Sequence, residues 1–134
     1  LQGDGVPKDE VEGLKWLTLA GRGGLERAQM SLASHYSQEG STPDDYLKAM
    51  AWWKRAARHG NRAAMAELGK AFHEGKRIRK DLLEAYIWLS LAYLKRDYTM
   101  PPSVKEIEAV LSTEQKERAK NRLDSWVVFP NDKW

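Results

Sequence analysis

The stretch AMAWWKRAARHGNRAAMAELG, residues 49–69, sets two adjacent tryptophans beside a run of lysines and arginines. Such a mixture has two readings. Rings and cations on one surface suit nucleic acid, where bases stack and phosphates are neutralised. The same letters also describe a helix with an apolar face and a charged back. Ala49, Trp52, Trp53, Ala56 and Ala57 recur at i, i+3, i+4, i+7 and i+8, one stripe of a 3.6-residue helix. Arg58 and His59 then suit the negative end of the helix dipole, and Gly60 supplies a terminator.

Comparison of the chain with itself separates the readings. Trp16, Trp52 and Trp88 are spaced by 36 residues, as are Asp9, Asp45 and Asp81, and Ala20, Ala56 and Ala92. Ala28, Leu32 and Tyr36 match Ala64, Leu68 and Phe72 at the same shift, and Gly24 matches Gly60. A period of this size marks a repeat architecture. Each unit reads as two helices. Ala28, Leu32 and Tyr36 stripe the first, Gly40 ends it, and STPDD opens the second with a φ-fixing proline and acidic residues at the positive dipole end. Small residues (Ala28, Ala33, Ala49, Ala56 and their counterparts Ala64, Gly69, Ala85, Ala92) let neighbouring backbones approach while Trp, Tyr and Leu fill the grooves. One pair cannot hide such a stripe, so stacked pairs must share a continuous core.

With GDGVPKD, KAMAWWKRAARHGN and AAMAELGKAFHEG identified, residues 3–99 resemble the Sel-1-like repeat family, a relative of the tetratricopeptide repeat. Gly5, Val6 and Asp9 match its connecting loop, Leu68 and Gly69 its Leu-Gly pair, and Ala49, Trp52, Ala56, Ala57, Gly60 and Asn61 its second helix and exit. The resemblance implies an all-α fold, a right-handed superhelix of antiparallel helix pairs. It divides the chain into a partial repeat 1–25, repeats 26–61 and 62–99, and a C-terminal capping helix within 103–126. Ala33 replaces an expected glycine, and GSTPDD and GKRIRKD lack the usual Gly-Val loop.

The tail departs from the repeat. Ser112 and Gln115 form the pattern of a capping box. Leu111, Ala119, Leu123 and Trp126 are expected to cover the last repeat, with Lys116, Glu117, Lys120 and Asp124 in water. At the front, residues 9–22 read as a second helix without its first, exposing Leu14 and Leu17. The natural protein is therefore expected to extend N-terminal of Leu1.

Chemistry is sparse. The chain has no cysteine, which excludes thiolate nucleophiles and thiolate metal sites, and its three histidines, His35, His59 and His73, lack helical metal-ligand spacing. No phosphate loop, nucleophile elbow or dinucleotide fingerprint occurs. The expectation is a non-catalytic protein with no cofactor, no metal and no apolar run long enough to span a bilayer.

Charge is more informative. The net charge is +3, yet between Lys54 and Lys80 nine basic residues face two acidic ones. Arg55, Arg58, Lys76, Arg77, Arg79 and Lys80 make up the candidate basic patch. Trp16, Trp52 and Trp88 follow the repeat period and are expected in the core, with Trp53 also inward. The helical wheel sets these rings opposite Lys54, Arg55 and Arg58, which disfavours a nucleic-acid surface.

Family ligands commonly lie in the concave groove lined by first helices. Carried over, this implies Arg27, Met30, Ser34, Ser37 and Gln38 in one unit and Ala63, Ala66, Lys70, His73 and Glu74 in the next. The expected function is that of a scaffold or adaptor holding another protein or peptide, one with an acidic surface. The alternative is an accessory domain that binds nucleic acid or another polyanion through residues 54–80.

Overall fold

The computed structural model describes residues 8–93 and 101–126, all of them in helices, turns and short connections. Seven helices follow in order: α1 (Lys8–Arg22), α2 (Glu26–Tyr36), α3 (Pro43–Arg58), α4 (Arg62–Glu74), α5 (Leu82–Tyr93), α6 (Pro102–Val110) and α7 (Thr113–Asp124). The Gly5–Val6 loop, and the end of the 62–99 unit beyond Tyr93, lie outside the described residues. The fold is an all-α solenoid in which α2 pairs with α3 and α4 with α5, while α1 packs on α2, α3 on α4 and α5 on α6.

Local chemistry sets the helix ends. Thr42 caps α3 by accepting from the Asp45 N–H at 3.0 Å, with Pro43 pre-set in the first turn. Asn61 caps α4 in the same way at 2.8 Å from the Ala64 N–H, directly after Gly60 turns the chain at φ 95°. The helix α5 begins later in its unit. Its cap is Asp81, which accepts from the Glu84 N–H at 3.0 Å. The preceding KRIRK offers neither a proline nor an acidic residue, and cations at a helix N-terminus oppose its dipole. Asp45 and Asp81, equivalent in the repeat, thus do different work.

Two close approaches hold the layers. A Cβ on Gly69 would stand 2.5 Å from Leu89 Cγ, so α4 and α5 meet at a distance only glycine permits. Residues 33 and 53 are their equivalents one repeat earlier, and there fully buried Ala33 is matched with Trp53, 5% exposed. On the other interface the Trp52 indole lies against Gly21, where a Cβ would be 2.9 Å from its ring and 3.0 Å from Leu32 Cδ1. Gln29, wholly buried, donates from Nε2 to the Gly21 carbonyl at 2.9 Å and joins α2 to α1.

The tryptophans divide differently from expectation. Trp53 and Trp88 are buried and Trp52 half-buried, but Trp16 is 67% exposed, with Val11 and Leu19 beside it. Trp52 has Gly21 of the preceding second helix to lie on; among the described residues no preceding pair exists for Trp16. Leu14 and Leu17, expected at the surface, are half-buried, because they are on the flank of α1 turned to α2.

The cap is two helices rather than one. Leu111, extended at ψ 144°, breaks the segment, and Ser112 then opens α7 with a complete capping box: its hydroxyl accepts from the Gln115 N–H at 3.1 Å, and Gln115 Oε1 accepts from the Ser112 N–H at 2.9 Å. Leu111 and Ala119 are buried, Leu123 and Trp126 pack on the core, and Lys116, Glu117, Lys120 and Asp124 are exposed. Val104 and Ile107 of α6 join Ala85, Leu89 and Leu111 in a second apolar cluster.

Two stability changes follow. Gly69→Ala gains about 1 kcal/mol of helix propensity, but overpacking against Leu89 outweighs it, with a net loss of about 1–2 kcal/mol expected in urea denaturation. Trp53→Ala is expected to cost about 3–5 kcal/mol, whereas Trp16→Ala in the same chain leaves the midpoint nearly unchanged.

Candidate functional site

The first helices α2 and α4 stand side by side without forming a packed pair; α3 pairs with both and fills the space behind them. Between them opens a cavity of about 410 Å³. Met30, Ser34 and Ser37 line it from the α2 side, and Ala63, Glu67, Lys70, Ala71 and Glu74 from α4. Its base is Tyr46 and Trp53 of α3, both buried, whose rings meet edge to face at 6.0 Å. Lys76 and Arg77, after α4, close one end.

Six of the ten residues expected in the groove therefore surround one cavity: Met30, Ser34, Ser37, Ala63, Lys70 and Glu74. Arg27, Gln38, Ala66 and His73 do not line it. The reason is geometric. A cleft between two parallel neighbours is walled by opposite flanks of each, so equivalent positions on both helices cannot all face it. Met30 and Ser37 face the cleft from α2, but their counterparts Ala66 and His73, 36 residues on, occupy the far flank of α4. Ala66 packs on the core there. Arg27 is exposed on the first turn of α2, one turn before Met30 and short of the cavity, and Gln38 lies beyond the helix's other end. Tyr46 and Trp53 were hidden from the sequence reading because they belong to the second helix, whose apolar residues register only as core. Glu67 and Ala71 follow from the i, i+4, i+7, i+8, i+11 series that begins at Ala63.

Arg77 is already engaged. Nη1 donates to the carbonyls of Ser37 and Gln38 at 3.2 and 3.3 Å, and Nη2 to the Ser41 carbonyl and hydroxyl at 3.0 and 2.5 Å. Its guanidinium also lies 4.3 Å from the centre of the Tyr46 ring. The cations left on the rim are Lys70 and Lys76, against Glu67 and Glu74, so the rim is close to neutral.

The basic patch is divided rather than continuous. Lys76 and Arg77 face the groove, whereas Arg79 and Lys80 line a separate cavity of about 520 Å³ with Leu47, Met50, Lys54, Phe72, Ile78 and Asp81. Arg58 borders an adjoining cavity that shares Lys54 and Phe72 with the second and adds Trp88 and Trp126, so the patch falls into two groups, one at the groove and one around Lys54. Arg55 lies 5.1 Å over the Trp52 ring, so this cation and ring share a side that the helical wheel had set apart. The i, i+3 spacing brings them together on the helix surface.

Of the histidines, His59 is the C-terminal cap residue of α3, and His35 meets Tyr36 edge to face at 5.1 Å. Among the described residues no three His, Asp or Glu side chains converge as a metal site, and no helix is long and apolar enough to cross a membrane.

Sel1 repeats match residues 1–25, 26–61 and 62–97. The chain belongs to the Sel1 repeat family. Sel1 repeats generally serve as non-catalytic scaffolds for contacts between proteins. A solved structure with a similar fold is that of a protective antigen present in uropathogenic Escherichia coli strains, which displays an SLR (Sel1-like repeat) fold. It aligns with 93% of this chain at 21% identity and a TM-score of 0.55. This chain covers 34% of that protein's chain, about a third of its length, and the likeness is one of fold. No curated protein matches the chain.

Tyr46 reports on the base of the groove. Burial pushes its hydroxyl above the ordinary value of 10.0; Arg77 opposes this and Glu67 and Glu74 add to it. The folded state therefore holds the phenol proton more tightly than the unfolded chain. Its contribution to stability is complete below pH 10.0 and is lost as pH rises through the higher folded value. Tyr46→Phe is expected to flatten the fall in stability above that pH, measured by urea denaturation across an alkaline series.

Proposed function

We propose that this Sel1-repeat chain is a non-catalytic scaffold that holds an extended segment of another protein between α2 and α4. The observation that carries this reading is the pairing of an apolar base, Trp53 and Tyr46 with Met30, with a nearly charge-balanced rim. A bulky apolar side chain of the partner finds contact area at the base, and the rim's serines, lysines and glutamates orient its backbone and polar groups. An acidic residue of the partner would pair with Lys70 or Lys76, the two rim cations not engaged as Arg77 is. The split of the basic residues between the groove rim and the region around Lys54, with Arg55 over the Trp52 ring, supports this reading over a polyanion surface, which needs its charges on one face.

The test is a displayed peptide library selected on the unaltered chain. Selected peptides are expected to lose tenfold or more in affinity, about 1.4 kcal/mol, on a Ser34→Arg, Ala63→Arg variant, whose two exposed substitutions fill the cavity without entering the core. Arg27→Glu, off the groove, should leave them bound. Raising salt from about 50 to 200 mM should weaken the peptides only a few-fold, whereas a polyanion held by six or more phosphate contacts would lose about a thousandfold or more. Peptides indifferent to the cavity-filling pair, or a polyanion-like salt slope, would overturn the reading.

A further inference from the structure

We propose that Arg77 is a positioning residue: a brace between successive repeats that sets the width of the groove. The proposal rests on reading the cleft between α2 and α4 as the docking site. The two walls are not packed on each other, so their spacing is inherited from α3 behind them and from whatever ties them at the rim. Four side-chain hydrogen bonds, all donated by Arg77, run from the loop after α4 back to the loop after α2.

The tie is shaped for this work. Gly75 ends α4 in the left-handed region at φ 64°, and a Cβ there would stand 2.5 Å from Lys80 Cβ. The loop is thereby folded tightly on itself, with Arg77 turned back along the solenoid. Two of its acceptors, the Ser37 and Gln38 carbonyls, lie just past the last turn of α2, where a helix end carries partial negative charge, and the other two belong to Ser41 in the loop before α3. Arg77 and Ser41 are also the same position in consecutive units, 36 residues apart, so the brace runs from loop to equivalent loop. A guanidinium can serve acceptors on three residues because its donors form a rigid fork, with the Tyr46 ring holding its plane. A lysine ammonium is a point and cannot.

Arg77 is solvent-exposed, and exposed polar ties contribute little to global stability. Its loss should therefore show in the spacing of the walls before it shows in the melting of the fold. That contrast separates a positioning role from a merely structural one.

The absence of native cysteine permits a direct measurement. Nitroxide labels on Ser31→Cys of α2 and Glu74→Cys of α4 report the wall-to-wall distance by pulsed electron paramagnetic resonance. With Arg77 present, one narrow distribution is expected. Arg77→Ala should broaden it and lengthen its mean by about 2 Å or more, the scale of a genuine rearrangement, with the melting temperature held within a few degrees. Arg77→Lys should not restore the narrow state. An unchanged distribution in Arg77→Ala, or full restoration by lysine, overturns the brace. So does a collapse in melting temperature that accompanies any widening. No partner is needed, so failure here leaves the docking reading standing, and failure of the peptide selection leaves the brace intact.

Discussion

The structure depends on how closely two backbones can approach. Where Leu89 of α5 meets α4, there is no room for a Cβ on Gly69; where Trp52 crosses α1, there is none to spare on Gly21. These are the two kinds of interface in a helical repeat, within a pair and between pairs, and each is made by one missing side chain under one large one. Interiors packed at crystal-like density accept few alternatives to such a fit. The fit also explains why the repeat tolerates Ala33: its opposite number is Trp53 rather than Leu89, and the α2–α3 pair has settled around the pair of residues it has. Period and partner size, taken together, set the spacing of every layer above.

That spacing creates the groove. Because α2 and α4 are held apart by the width of α3's side chains, a cleft remains in front of Tyr46 and Trp53 that the chain does not fill for itself. Both rings do double duty, as core on one side and as the base of the cleft on the other. Charge refines the surface without dominating it. Arg77 spends its donors on Ser37, Gln38 and Ser41, and what is left around the rim is two lysines and two glutamates. A positive run in the sequence has thus been distributed by the fold into local duties.

The repeat itself was legible because packing demands recur: Trp, Ala and Gly at a fixed interval can hardly mean anything but stacked helices. The capping box at Ser112 was legible because its two hydrogen bonds join residues three apart. Less local features were not. Arg77 reaches 36 to 40 residues back, mostly to backbone carbonyls, which carry no residue identity to read. The groove was half legible, since a single sequence shows which positions are off the core but not which flank of a helix faces its neighbour. Met30 and Ala66 are equivalent in sequence and opposite in role. Trp16 was misplaced for the same reason in reverse: its residue type obeys the period, but burial belongs to the neighbour that covers it.

The C-terminal end shows what happens when the period lapses while its physical demand persists. Val104 stands 36 residues after Leu68 and is buried against Ala85 and Leu89, so α6 begins as the first helix of another unit. Its expected partner does not follow. Instead α7 packs on α5, bringing Trp126 edge to face with Trp88 at 5.4 Å, and an Arg122–Glu84 ion pair joins the two helices. This explains the composition of α5, LLEAYIWLSLAY, which is apolar nearly all round where α3 is amphipathic. A helix covered by α4, α6 and α7 has little face left for water, and its residues reflect that. The cap's own outer surface, carrying Lys116, Glu117, Lys120 and Asp124, then returns the solenoid to solvent, which a further unit of the regular kind could do only by exposing another apolar stripe.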